Sequence, residues 1–296
     1  MIKTILGLTF LAISLFGIEN YSPYPRQFWS DGTLYLVTRR FEQNHQPFYL
    51  IVNTKTLQTK ITSLDEALLQ PVDHAFEQTL FAKRLTESTQ KSFKGGATHA
   101  FTAVPQAIYL TMDLCPSSKQ GYEEAFVEQL TRENGKTPIA VAISSSWIEH
   151  HEKAFDALKN NPKLELTWVN HTHTHFYNRF LKDRENFMLY PNTDIKEEIL
   201  GLEKTLIERG ITPSVFFRFP GLMANDTLMK ELKQTYFLIP LSANAWIAKN
   251  EKVKLGSFIL VHGNKNEPQG IEMLEQMLPD LLKRYRFHTI QEAFVP

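Results

Sequence analysis

Apolar and polar positions divide the chain into three regions. Residues 5–16 form an apolar run behind one early basic residue, Lys3, and the polar, proline-containing segment 19–25 follows at once. The run is short for a membrane span and has the length and flanks of an export signal. Ser14, Leu15, Phe16 and Gly17 make no clean small-x-small cleavage pattern, so residues 1–17 read as a signal peptide or an N-terminal anchor. Residues 33–40 and 47–61 are rich in Tyr, Val, Ile and Thr, with a polar 42–46 between them, which predicts a β-hairpin or small β-module. A helix is expected over about 64–85, and 86–97, rich in Ser, Thr, Lys and Gly, reads as a linker. Residues 18–97 are thus a small N-terminal β-rich module with its linker, and 98–296 the main domain.

From residue 107 the pattern changes to alternation. Strands are expected at 107–112, 138–143, 164–169, 214–219, 236–240 and 257–261, with a short one near Phe287. Helices fall between them at 122–133, 148–160, 194–209, 226–234 and 271–285. Strands separated by helices in this way predict an α/β domain with a mostly parallel sheet, open or closed as a barrel.

Composition narrows the functions open to such a domain. Thirty-two Lys+Arg balance thirty-two Asp+Glu over 296 residues, so no global field favours nucleic acid or an anionic membrane surface. Any membrane attachment would run through the N-terminal segment alone. The single cysteine, Cys115, excludes an intrachain disulfide and a zinc site built from several thiolates. Histidine and carboxylate are therefore the expected metal ligands.

The strongest chemical signal is Asn170-His171-Thr172-His173-Thr174-His175, which packs three of the ten histidines into five positions directly after an expected strand. Carboxyl ends of strands are where α/β domains place their sites. His171 and His175 converge on one cation if the chain begins a helical turn there; if it stays extended, all three histidines share a face. A solvated polar loop accounts for one or two histidines at such a place, but poorly for three.

Three further strand ends carry charge. Asp113 closes the apolar run 108–112, Arg218 stands in Phe217-Arg218-Phe219-Pro220-Gly221, and His262 follows Ile259-Leu260-Val261. Singly, these residues read as a turn cap, a surface ion pair and a loop histidine. Together with the histidine pair they match the division of labour in metal-assisted hydrolysis, with water activated by metal and base and a leaving group protonated by an acid.

The order Thr111-Met112-Asp113, His171-Thr172-x-x-His175, Arg218-Phe219-Pro220-Gly221, Trp246 and Leu260-Val261-His262 resembles the polysaccharide deacetylase family, the NodB homology domain of family 4 carbohydrate esterases. The resemblance runs from about residue 107 to the C-terminus. It implies an irregular (β/α) barrel, a divalent metal, commonly zinc, and hydrolytic removal of N- or O-linked acetyl groups from a glycan such as peptidoglycan or a chitin-like oligosaccharide. By position it makes Asp113 the general base, His171 and His175 metal ligands, Arg218 the residue that steadies the base, and His262 the catalytic acid. Trp246, Phe219 and Pro220 are the expected substrate-binding positions, and Phe176 and Tyr177 are further aromatics placed to stack on sugar rings.

Two departures matter. Where the family has a second aspartate as third metal ligand, this chain has Leu114, followed by Cys115; where the family has aspartate before its tryptophan, it has Ala245. An apolar Leu cannot ligate, so Asp113 moves onto the metal, water fills the place, or the metal binds weakly; Leu114→Asp is expected to raise metal occupancy and activity if the site is merely metal-poor, and to leave activity flat or lower if Asp113 is already a ligand. Cys115 is an alternative soft ligand, although a buried, inert cysteine is the commoner outcome. Ala245 is expected to leave His262 without its usual carboxylate partner, with a lower pKa and less use as an acid. The alternative to an exported hydrolase is a catalytically impaired, deacetylase-like glycan-binding protein.

Overall fold

The computed structural model describes residues 17–90, 94–119 and 121–296, so the expected export segment lies almost wholly outside the described residues. The chain begins with β1 (Glu19–Ser30), β2 (Thr33–Gln43), β3 (Gln46–Asn53), β4 (Thr59–Thr62) and β5 (Gln70–Pro71). These form an antiparallel sheet in the order β4-β3-β2-β1-β5. The hydropathy pattern does not announce β1, because Pro23 and Pro25 interrupt it; the β1–β2 ladder accommodates them with a register shift between Pro23 and Arg26. The expected strand 47–61 is divided by a turn in which the Asn53 side chain accepts from the amides of Lys55 and Thr56.

The single helix expected over 64–85 is also divided. Asp73 caps the short α1 (His74–Glu77), and Thr79 caps α2 (Leu80–Thr89), which runs into the segment expected to be linker.

The main sheet comprises β6 (Ala107–Leu114), β7 (Thr137–Ile143), β8 (Leu164–Asn170), β9 (Phe216–Phe217), β10 (Ile239–Pro240), β11 (Ala245–Trp246), β12 (Phe258–His262) and β13 (Arg286–Phe287). Its order is β10-β9-β8-β7-β6-β12-β11, with β13 on the first residues of β6 and every pairing parallel. Residues 97–99 bridge Leu241 on one flank and Ser257 on the other, spanning the side that the strands leave open. The helices are α3 (Glu124–Asn134), α4 (Ser145–His150), α5 (Glu152–Lys159), α6 (Ile195–Glu208), α7 (Asp226–Glu231) and α8 (Pro268–Arg284). The expected α/β barrel is thus the observed architecture, although the helix foreseen at 148–160 breaks at His151 and the strand foreseen at 214–219 keeps only two residues.

Strand alternation in β6 sets up everything that follows. Ile108, Leu110, Met112 and Leu114 pack into a core with Phe126 and Leu130 of α3 and Leu274 and Leu278 of α8. Ala107, Tyr109, Thr111 and Asp113 face the other way, toward the barrel interior that Ala140 and Ala142 keep narrow. The N-terminal sheet is fastened to this body through a buried ionic contact: Arg39 of β2 donates to both carboxylate oxygens of Glu203 on α6, at 2.7 and 2.9 Å, and the Tyr21 hydroxyl donates to Glu203 at 2.8 Å.

Candidate active site

The carboxyl ends of the parallel strands surround a cleft of about 810 Å³ lined by Asp113, Cys115, His171, His175, Trp246 and His262, among others. At the end of β6, Asp113 is buried beneath this cleft. Arg218, just past β9, donates through Nη1 to Asp113 Oδ1 at 2.9 Å and through Nη2 to the Ser242 carbonyl at 3.1 Å. The fork fixes one carboxylate oxygen and leaves Oδ2, which lies 3.9 Å from His171 Nε2.

The histidine segment is neither a helical turn nor an extended strand. Its backbone bends through left-handed conformations at Thr172 (φ 75°) and His175 (φ 52°), costly for residues with a Cβ and held here by side chains. Asn170 Oδ1 accepts from Thr172 N at 3.0 Å. Glu198 on α6 accepts from the amide of Thr174 at 3.0 Å and of His175 at 3.4 Å, and from the Thr174 hydroxyl. The bend brings the rings of His171 and His175 to a 4.7 Å centroid separation and turns His173 away, against α6 at Gly201.

His171 Nδ1 donates to the Arg218 carbonyl at 2.8 Å; since a carbonyl only accepts, Nδ1 carries the hydrogen and Nε2 presents its lone pair. Burial pushes the His171 pKa down, which keeps the ring neutral as a ligand must be. His175 Nε2 is buried with no hydrogen-bond partner. One potential ligand atom from each of Cys115, His171 and His175 lies within 4.8 Å of the others. Asp113 stands outside that group among the described residues, and the thiol of Cys115 stands inside it beside the two expected histidines. An orphaned buried nitrogen, a neutral imidazole fixed in its tautomer by a backbone carbonyl, and a sulfur beside them fit a divalent metal.

Across the cleft, His262 at the end of β12 is paired in register with Asp113 on β6. Its Nδ1 donates to Glu267 Oε2 at 2.9 Å, and the same oxygen accepts from Trp246 Nε1 at 2.7 Å. Ala245 does remove the usual partner, but Glu267, immediately before α8, reaches back in its place, so the expected weakening of His262 as an acid is overturned. Burial disfavours the His262 cation, but Cys115, Glu267 and Asp113 outweigh burial and raise its pKa to about 10. For the Cys115 thiol, burial acts upward and His175 and His262 act downward, with a net fall to about 7.

Two expected substrate positions lie elsewhere. Phe219 is fully buried, its ring packed edge-on to Phe217 at 4.8 Å, and Pro220 is buried at the start of a short turn whose next residues, Gly221 and Leu222, reach the cleft instead. Trp246 does line the cleft, with the Lys249 ammonium over its ring. On the opposite wall Phe176 stacks on Tyr190 and the exposed Tyr177 on Phe187. Glu198, on α6, and Glu267, in the loop before α8, carry no sequence signal that singles them out, because each is one carboxylate among many.

No protein family model matches the chain. Among solved structures, a family 4 carbohydrate esterase from Bacillus anthracis superposes with a TM-score of 0.52 at 19% identity, over 72% of this chain and 91% of that one. The Bc1960 peptidoglycan N-acetylglucosamine deacetylase gives 0.48 at 18% identity, over 67% and 91% of the two chains. The chitin deacetylase of the fungal pathogen Colletotrichum lindemuthianum gives 0.45 at 17%, over 67% and 90%. The fold is that of the family 4 carbohydrate esterases, the NodB-type (β/α) barrel.

Proposed function

We propose that this chain is a metal-dependent hydrolase that removes acetyl groups from an acetylated glycan, a divergent polysaccharide deacetylase. The observation that carries this reading is the meeting, in one cleft, of a carboxylate clamped by Arg218, a metal-competent histidine pair and a histidine–carboxylate pair at the adjacent strand end. A binding groove needs no such set of ionisable groups.

When bound, the metal would supply the positive charge that polarises an acetyl carbonyl. Asp113 accepts the proton of the attacking water through Oδ2, since Arg218 holds Oδ1 and orients the carboxylate. With Nδ1 tied to Glu267, His262 has Nε2 left to protonate the departing sugar nitrogen. Trp246, Phe176 and Tyr177 offer faces on which a neutral sugar ring can stack. Action outside the cytoplasm is part of the proposal and rests on the Lys3-led apolar run; a reporter fused after residue 30 should be exported.

Acetate release from acetylated chito-oligosaccharide and from peptidoglycan tests the activity. The wild type should release acetate, Asp113→Asn should lose about 10²–10⁴-fold, and His171→Ala/His175→Ala should lose both activity and metal. Release that persists undiminished in Asp113→Asn, or is absent from metal-loaded wild type on either glycan, overturns the reading.

A further inference from the structure

We propose that Cys115 supplies the third protein ligand of the metal centre as a thiolate, making a Cys-His-His site for a thiophilic divalent ion such as zinc. The proposal rests on reading the His171–His175 loop as a metal centre and names the ligand that the sequence left open.

Side-chain parity is the first argument. Leu114 occupies the position at which the resemblance implies a carboxylate ligand, but it is fully buried on the helix-facing side of β6, packed with Met112 and Ile143. The next residue returns to the face of Asp113, and Cys115 lines the cleft. A ligand lost at one position is thus available one residue later on the correct side of the strand.

Distance is the second. Cys115 Sγ lies 3.5 Å from His171 Nε2. Zinc–sulfur and zinc–nitrogen bonds of about 2.3 and 2.0–2.1 Å at a tetrahedral angle put the two ligand atoms about 3.6 Å apart. The pair therefore stands at the separation a shared ion requires, while Asp113 Oδ2, at 3.9 Å from the same nitrogen, belongs to a carboxylate already held by Arg218.

The remaining observations concern preorganisation. His171 Nε2 is the nitrogen freed by the Nδ1 bond to Arg218, and His175 Nε2 is buried without a partner, a condition that folded proteins rarely leave unrelieved. The Asn264 side chain donates to the Cys115 carbonyl and anchors the backbone that presents the thiol. An inert buried cysteine would need none of these alignments.

Because Cys115 is the chain's one cysteine, sulfur ligation can be read without ambiguity. Metal-stripped full-length protein loaded with one equivalent of Co²⁺ should show a near-ultraviolet sulfur-to-cobalt charge-transfer band. Cys115→Ser should abolish the band and weaken metal binding at least about tenfold, and Cys115→Asp should recover affinity without the band. Zinc should also protect the wild-type thiol from iodoacetamide, with protection lost in His171→Ala/His175→Ala, a readout that needs no cysteine variant to fold. One equivalent of cobalt bound with no sulfur band, and alkylation equally fast with and without zinc, overturns the thiolate while leaving the histidine centre in place. Failure of wild type to bind cobalt or zinc in equilibrium dialysis overturns both.

Discussion

His262 and Glu267 form a pair that joins the end of β12 to the start of α8, Nδ1 donating to Oε2 at 2.9 Å. The carboxylate comes from a different element than the sequence resemblance implied, yet it fixes the ring's tautomer and favours the imidazolium, as the acid role proposed for His262 requires. Glu267→Gln keeps the size and an accepting oxygen but removes the charge. We expect kcat to fall about 10–100-fold, KM to change little, and the alkaline limb of the kcat profile to move to lower pH, because His262 then gives up its proton more readily. Steady-state kinetics across pH checks this; an unchanged profile with a raised KM would assign Glu267 to substrate binding instead.

What the sequence made legible follows from which signals are local. The apolar run 108–112, the clustered histidines and the strand-end positions of Asp113, Arg218 and His262 are all written in short stretches, and the main sheet follows from the alternation of strand-like and helix-like segments around them. The Glu198 contacts are long-range choices among many equivalent carboxylates, made only when α6 docks, and the Glu267 contact, though only five residues from His262, depends on how the loop before α8 folds back. Phe219 was misplaced because an aromatic next to a functional arginine looks alike whether it faces cleft or core; the turn at Gly221 (φ 63°) decides between them. Strand β1 was missed because its prolines mask a pairing that a register shift accommodates.

The same parity reverses the expected effect of Leu114→Asp. A carboxylate there enters an apolar core rather than the cleft, and burying it unpaired should cost several kcal/mol or force its protonation. We expect a lower Tm with no gain in metal affinity. Thermal unfolding and zinc titration test this; tighter zinc binding by the variant would show that β6 twists enough to bring position 114 to the ion.

Arg39, Glu203 and Tyr21 predict a second kind of sensitivity. Arg39→Met strands the buried Glu203 charge and should cost about 3–5 kcal/mol, while Tyr21→Phe removes one hydrogen bond to a charged group and should cost about 1.5–3 kcal/mol. Burial first, and then Glu203, hold the Tyr21 pKa well above its ordinary value. The folded state thus retains a proton that the unfolded chain releases near pH 10. This contribution is complete below that pH and is lost as pH rises beyond it. Denaturant titrations at neutral and alkaline pH should show the wild type and Tyr21→Phe converging as pH increases; a constant gap would contradict the assignment.

Gly201 sits inside α6, where alanine would ordinarily stabilise a helix by about 0.5–1 kcal/mol. Here a Cβ would lie 2.8 Å from His173 Cγ and 2.9 Å from both His173 Nδ1 and Glu197 Oε1. The glutamate can swing aside. The histidine cannot do so cheaply, because its amide donates to the Glu198 carbonyl at 2.8 Å and its own carbonyl accepts from Ser146 N at 3.1 Å. Overpacking of this kind costs about 1–3 kcal/mol, which exceeds the propensity gain, so Gly201→Ala should be destabilising overall. The displacement also falls between His171 and His175, on the segment whose left-handed residues set the two rings 4.7 Å apart. Zinc affinity should therefore drop more than stability alone would require, and Gly201→Ser should behave in the same way. Isothermal zinc titration beside thermal unfolding separates the two effects. A variant as stable as wild type with undiminished zinc affinity would mean that the His173 contact plays no part in shaping the metal loop.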